Sequence, residues 1–409
     1  MTGDDGRGMA ETVAGRSYGK LMAILAGRTG DVAAAEDALS EAFAAALADW
    51  PANGCPSNPE GWLLAVARRK AIDAVRRRQT GERHATELQI LAETPETPGD
   101  IPDQRLSLLF VCAHPALDTA IRAPLMLQVV LGLDARAIAS AFLTSPAAMG
   151  KRLVRAKEKI RVAGIPFRVP ERAELPGRVD AVLDAVYAAF TEGWHDPEGT
   201  DSARRELTSE AIYLARVVAE LMPEQPEALG LLSLMLHAEA RRRARRNARG
   251  EYVPLAEQDQ TQWNWDQIRE AEALLLQAGS FRRVGRYQVE AALQSAHVHR
   301  CRTGEPNWAA VVQLYDLLLA VTGSPVVAIN RAVAIAEVEG PANALAIVDS
   351  LAQDGRLAGY QSYWAARAHL LARTGAVGEA SQAYDMAIGL ERDEAVRQFL
   401  LRRRAQVRG

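Results

Sequence analysis

The sequence predicts an all-α protein of several domains, and three observations predict it. Ala, Leu, Arg and Glu are abundant, whereas aromatic residues make up only 6% and runs of β-branched residues are scarce. Apolar positions recur at helical spacing through most of the chain. At 409 residues the chain is longer than one hydrophobic core serves, so two or three domains are expected. Hydrophobic residues at 48% exclude global disorder. A net charge of -3 excludes a uniformly basic nucleic-acid coat but leaves room for local basic faces.

A first helical block runs from about Ser17 to Arg78, opening on Leu21, Ile24 and Leu25. Asp31 offers a cap for a helix with Ala35, Ala38, Leu39, Phe43 and Leu47 on one face. Pro51, Gly54, Pro56 and Pro59 then punctuate the chain. Asn58 is placed to cap the next helix, with Pro59 at its favoured first position. That helix turns Trp62, Leu63, Val66, Ile72 and Val75 inward. Its other faces carry Arg68, Arg69, Lys70, Arg76, Arg77 and Arg78. Trp62 reads as a core anchor before a stacking platform. The stretch from His84 to Gln104 holds no Lys or Arg, but several acids, and prolines at 95, 98 and 102, and reads as an acidic linker.

A second block, about Arg105 to Gly164, ends in the pattern of a helix–turn–helix. Asp134 caps, and Ile138, Ala139 and Phe142 form an apolar face. Leu143-Thr144-Ser145 makes the turn, Ser145 caps again, and Pro146 opens the last helix. On that helix Met149, Leu153, Ala156 and Ile160 point inward, and Lys151, Arg152, Arg155, Lys157, Lys159 and Arg161 cover the rest. Ile165 to Arg178 is a second Pro-punctuated boundary. Beyond it, Val179 to Gly409 reads as a long run of helical pairs. Gly340 and Gly375 fall 35 residues apart at turns, close to the tetratricopeptide period. Gly375, Ala380, Tyr384 and Ala387 fit that repeat's alternation of small and large residues.

The chemistry of the chain lies in its two basic helices and the acidic stretch between them. Affinity for DNA comes from Lys and Arg on phosphates, and specificity from side chains at base edges. The second helix of a helix–turn–helix places its first residues in the major groove. Here these are Ala147, Ala148, Lys151 and Arg152, with Arg155 a turn later. Lys and Arg read guanine, and an alanine methyl can meet thymine. From spacing alone, a solvated basic helix in an ordinary helical hairpin stands as an equal alternative. Cys55, Cys112 and Cys301 lie far apart with no CxxC pair, supporting neither disulfides nor zinc and suiting a reducing compartment. His297, His299 and Cys301 alternate along a helix, so they cannot chelate together. No phosphate loop, nucleophile elbow or HExxH occurs, so no catalytic residue, metal or cofactor is expected. The amino-terminal stretch lacks an apolar signal core and no window is long enough to span a membrane. A cytoplasmic protein is therefore expected.

The stretches DVAAAEDALSEAFAAALADW (Asp31 to Trp50) and PEGWLLAVARRKAIDAVRRR (Pro59 to Arg78) resemble the second conserved region of bacterial extracytoplasmic-function (ECF) sigma factors. The stretch from Ile101 to Pro170 resembles their fourth region, in the subgroup with a long C-terminal extension. GEYVPLAEQDQTQWNWDQI, YQVEAALQSAHVHR, NWAAVVQLYDLL and SPVVAINRAVAIAEVEGP are similar to that extension, a tetratricopeptide-like (TPR-like) domain. The resemblance covers nearly the whole chain. It implies four domains: region 2 at 1–82, an acidic linker at 83–104, region 4 at 105–170 and a C-terminal regulatory domain at 171–409.

The resemblance also implies roles, position by position. Glu36, Asp37, Leu39 and Glu41 would dock on core RNA polymerase. Trp62, Arg68, Arg69, Lys70, Arg76 and Arg77 would read the -10 element of promoter DNA, where a base is pried from the opened strand. Many members read Ala-Arg-Asn where this chain has Ala67-Arg68-Arg69, which changes the chemistry at that point. Ala147, Ala148, Lys151, Arg152 and Arg155 would read the -35 duplex, with Lys157 on phosphate. The acidic linker would thread the polymerase's positively charged RNA path. The C-terminal domain would take the place of a separate anti-sigma protein and hold a regulatory protein or peptide on its concave face. Within that domain the run Arg241, Arg242, Arg243, Arg245, Arg246 and Arg249 reads as a solvated helix face, and Trp263 and Trp265 as packing between helices. The alternative function is a TPR-type interaction protein whose helix–turn–helix only tethers it to DNA, without recruiting polymerase.

Overall fold

The computed structural model describes residues 17–77, 104–142, 144–171, 174–194, 202–355 and 357–408. Among them α-helices dominate and no strand occurs, so the all-α fold expected from composition and spacing is the one found. Residue 78 and the acidic linker up to 103 lie outside the described residues. The chain divides into two compact units. One holds the residues up to Trp194 together with Glu206–Ala211, and the other holds the remainder.

The first unit begins with α1 (17–29), α2 (Val32–Asn53) and α3 (Pro59–Arg77). Asp31 caps α2, accepting from the N–H groups of Ala33 and Ala34 at 2.9 and 3.1 Å. Asn58 caps α3 through the N–H of Gly61 at 2.9 Å. Leu21, Met22, Leu25, Leu39, Trp50 and Leu63 are fully enclosed, and Trp62 meets Trp50 edge-on at 5.6 Å. Each such side chain stabilises the fold by roughly 1.5–3 kcal/mol. Two expectations are corrected here. The buried stripe of α2 continues through Ala42, Ala46 and Trp50, leaving Phe43 half-buried and Leu47 43% exposed. Small alanines let neighbouring helices approach, and the larger residues fall at the edge. Nor does Pro51 end α2. The helix runs on to Asn53, and Gly54, at φ 84°, donates to the Trp50 carbonyl at 2.9 Å. So near the terminus, the proline removes a single ladder bond.

The same unit continues through α4 (Arg105–Cys112), α5 (Thr119–Leu131), α6 (Ala135–Ala141), α7 (Pro146–Val162) and α8 (Leu175–Trp194). Asp134 accepts from the N–H groups of Arg136 and Ala137, both at 2.8 Å. Ser145 Oγ accepts from Ala148 N–H at 3.2 Å. Both helices of the hairpin, α6 and α7, therefore open on the caps the sequence predicts. Ile138, Ala139, Met149, Leu153, Ala156 and Ile160 close the hairpin's core. Helix α8 packs on α4 and α5, so the sequence-based boundary at 170/171 falls inside this compact unit.

The second unit contains most of α9 (Ser202–Leu221), then α10 (Pro226–Ala240), α11 (Trp265–Ser280) and α12 (Arg286–Thr303). Helix α10 is apolar nearly all round and lies between α11 and α12. Gly230 allows this, because a Cβ there would stand 2.7 Å from the Gln288 amide nitrogen. The Glu227 carboxylate receives the N–H groups of Tyr287 and Gln288 at the start of α12, where a negative charge suits the helix dipole. Then come α13 (Trp308–Thr322), α14 (Pro325–Ile335), α15 (Pro341–Ser350), α16 (Gln361–Thr374), α17 (Val377–Leu390) and α18 (Glu394–Arg408). Gly340 and Gly375, at φ 93° and 82°, occupy equivalent turns of successive hairpins. Ala380, Tyr384 and Ala387 are buried, as the spacing predicts.

The arginine run forms no solvated helix face. It occupies a 3-10 turn, Arg242–Arg245, and the loop beyond. Arg241 is largely enclosed, donating to the His237 carbonyl and the Gln294 side chain, and burial pushes it down to about 10. Arg242 pairs with Glu239 at 2.7 Å and Arg246 with Asp393 at 2.9 Å. Trp263 is buried among Ala240, Ala244, Ile268 and Val298, with the Trp265 ring 5.7 Å away.

Candidate polymerase and promoter interface

Helix α3 buries Leu63, Ala67 and Ala71, and that phase decides which of its basic residues face out. Arg69 is exposed and its Nε lies 3.4 Å from the Ala65 carbonyl of its own helix. Arg68 and Trp62 are half-buried. Lys70 Nζ stands 3.0 Å from Glu41 Oε2 on α2, so a residue expected on DNA is paired with one expected on polymerase. The side chains of Arg76 and Arg77 lie outside the described residues. Arg28 on α1 adds a basic group that the motif-based reading passes over. Burial, and then the nearby charge of Arg68, lower its pKa.

On α2 the acidic residues diverge. Asp37 and Glu41 are exposed and Glu36 is half-buried. Leu39 is fully buried, so it serves the helical core and presents nothing to a partner in this arrangement.

Helix α7 sets a clean outward face. Ala147, Ala148, Lys151, Arg152 and Arg155 are all exposed, and Val154 among them is 65% exposed. Arg152 Nη2 reaches the Ala120 carbonyl at the start of α5, 3.4 Å away. Glu158 and Arg161 pair along the exposed surface.

Lys157 departs from this group. It follows Ala156 inside the buried arc of α7, is 8% exposed, and forms an ion pair with Glu36, itself 20% exposed. The sequence held a signal for this: with Met149, Leu153, Ala156 and Ile160 fixing the inner face, position 157 lies at that face's edge. Around the pair, burial and then the Glu36 charge raise the Tyr18 phenol. Burial pushes the Cys112 thiol up to about 12, with Lys157 acting in the opposite direction.

Two close approaches surround the pair. A Cβ on Gly19 would stand 2.3 Å from the Val130 carbonyl oxygen, and one on Gly132 about 3.0 Å from the Tyr18 ring. Gly132 also closes α5 at φ 74°. Thus α1 and α2 sit directly against α5 and α7. Among the described residues no group of His, Cys, Asp and Glu could hold a metal ion, and no helix is long and apolar enough to cross a membrane.

This arrangement of helices coincides with a known domain. Residues 14–80 match the sigma-70 region 2 family, which supports a sigma-factor role in transcription initiation, with core RNA polymerase and promoter DNA as the partners that region implies. Residues 178–279 match a family of unknown function, DUF6596. The chain is 39% identical over 365 residues to the uncharacterized protein R00370 of Rhizobium meliloti (strain 1021), covering 87% of this chain and 86% of that protein. It belongs to the same family as that protein. No solved structure matches.

Proposed function

We propose that the chain is an ECF-type sigma factor whose α3 engages the -10 element, whose α6–α7 helix–turn–helix engages the -35 duplex, and whose second unit is a TPR-like control domain. One observation carries this reading. The chain that contains sigma-70 region 2 also holds a capped two-helix hairpin whose second helix exposes Ala147, Ala148, Lys151, Arg152 and Arg155 together. Those side chains suit a major groove: cations for guanine and phosphate, and small apolar groups for thymine methyls. Val154 extends the apolar part of that face. Asp37 and Glu41 leave an acidic surface on α2 suited to a helical partner. The acidic linker would follow the RNA path of the polymerase. Bond formation would belong to the polymerase, and this chain would supply recognition and strand opening. Successive hairpins with turn glycines at 340 and 375 support a repeat domain whose concave face takes a regulatory peptide or protein.

Reconstituted transcription tests the reading. The full chain with core polymerase should initiate at a defined promoter with -10 and -35 elements. Replacing both Arg152 and Arg155 with Glu should weaken -35 binding at least tenfold at moderate salt, since a good base contact is worth about 1–3 kcal/mol. Duplex binding without initiation would instead favour a tethered interaction protein.

A further inference from the structure

We propose that the cavity between the segment 247–257 and α18, within the second unit, binds a small zwitterion: an α-amino acid with an apolar or aromatic side chain. This site is independent of the sigma-factor reading. Segment and helix enclose about 360 Å³, near the lower end of the range of ligand pockets, so a small molecule fits and a folded partner does not. Two aromatic rings line the space. Tyr252 stands edge-on to Phe399 at 5.4 Å, and the Arg403 guanidinium lies 5.1 Å over the Phe399 ring. Four charges line it too, two of each sign: Glu251 and Glu257 from the segment, Arg402 and Arg403 from the helix.

That sign pattern selects the ligand. A simple anion is repelled by the two carboxylates, and a simple cation by the two guanidinium groups. An uncharged molecule would strip water from four ions and give nothing back. A zwitterion satisfies both halves. Its ammonium donates to the carboxylates, its carboxylate accepts from a guanidinium fork, and its side chain meets the rings. The existing ion pairs do not bar entry. Arg402 meets Glu251 at 2.9 Å and Arg403 meets Glu257 at 3.0 Å, but both pairs are about half exposed, and such pairs hold weakly in water. A ligand can therefore exchange either partner for its own charge. Glu251 keeps its place during that exchange, because Asn247 Nδ2 donates to its Oε2 at 2.8 Å. This bond, and then Arg402, hold the Glu251 carboxyl below its usual range, so it is ionised before a ligand arrives. Asn247 Oδ1 also receives the Glu251 N–H at 3.0 Å, which folds the segment back on itself. A charge positioned in advance lowers the ordering cost of binding.

Thermal unfolding of the full chain, with each common α-amino acid in turn at about 10 mM, gives the first test. At least one with an apolar or aromatic side chain should raise the melting temperature, because a ligand of the folded state stabilises it by mass action. No rise with any of them overturns the proposal. Isothermal titration then compares the best binder with its N-acetyl amide, which keeps the side chain and loses both charges. The amide should bind at least about tenfold more weakly. Equal affinity would assign binding to the rings alone and overturn the zwitterion. Arg402→Gln and Glu251→Gln each remove one charge, of opposite sign, and each should weaken binding about tenfold. Arg404→Gln is the control: it breaks the pair with Asp385 on the same helix but does not line the cavity, and should bind as the wild type does. Equal weakening in all three variants would trace the loss to a loosened α18 and overturn the site. Unchanged binding in Arg402→Gln and Glu251→Gln would overturn it as well.

Discussion

His237 on α10 is fully enclosed, and its neighbours decide how the second unit responds to acid. Burial, and then the charge of Arg241, push it down to about 4. Glu272 Oε1, 3.5 Å from Nε2, does not offset that. His297 on α12 is likewise near 4, through burial, then Arg300, then Arg241. An unfolded histidine titrates near 6.5, so between pH 6.5 and 4 the unfolded chain binds more protons than the folded one. Stability is therefore full above pH 6.5 and falls as pH drops toward 4, by up to about 3 kcal/mol for each histidine. Urea unfolding at pH 7 and pH 5 should show this loss, and His237→Met should shrink it; an identical slope in the variant would assign the loss to other groups. The sequence made the caps legible, because Asp31, Asn58, Asp134 and Ser145 each act on N–H groups within three residues. It could not show a buried imidazole, because α11 and α12 supply the burial from far along the chain.

Helix existence was legible for the same local reason, and helix partnership was not. The last helix illustrates the difference. α18 packs Leu400 against Ala380, Ala383 and Tyr384 of α17. It also reaches back to the loop after the arginine turn. Asp393 holds Arg246, Arg402 meets Glu251 at 2.9 Å, Arg403 meets Glu257 at 3.0 Å, and Phe399 stands edge-on to Tyr252 at 5.4 Å. This is why the arginine run, solvated by pattern, is engaged in fact: its carboxylate partner at Asp393 arrives nearly 150 residues later. Two kinds of contact hold α18, and their magnitudes differ. Leu400→Ala should cost about 2–5 kcal/mol of the second unit's stability, from lost burial and the cavity left behind. The Arg402–Glu251 pair is 46% and 38% exposed, so Arg402→Ala should cost at most about 1 kcal/mol. Chemical denaturation of the two variants would separate them, and an equal loss would mean that the ion pair fastens the helix as firmly as the apolar contact does.

At the scale of the whole chain, the acidic linker leaves the resting arrangement of the two basic helices open at the level of sequence, and the structure packs their domains together in one unit. Periodicity identifies the buried face of each helix but not which other helix covers it, and the glycines at 19 and 132 look unremarkable until Val130 and Tyr18 are seen against them. The first compact unit likewise extends past the Pro-punctuated stretch, to Trp194. Prolines around 166–176 suggested a break, yet α8 buries Val179, Val182, Leu183, Val186, Ala189 and Phe190 within the first unit, and Arg178 donates to the Phe110 carbonyl. The larger of these side chains stabilise the unit by roughly 1.5–3 kcal/mol each, more in sum than a typical domain has to spare. A chain cut after Pro176 should therefore lose cooperative thermal unfolding and aggregate on size-exclusion chromatography. A chain ending at Trp194 retains α8 and should melt cooperatively as a monomer. Equal behaviour of the two would show that α8 contributes little to the first unit. The distinction governs any test of the second unit's role: lost transcription from the shorter chain would report unfolding, and only the longer one can reveal whether the second unit restrains or assists initiation.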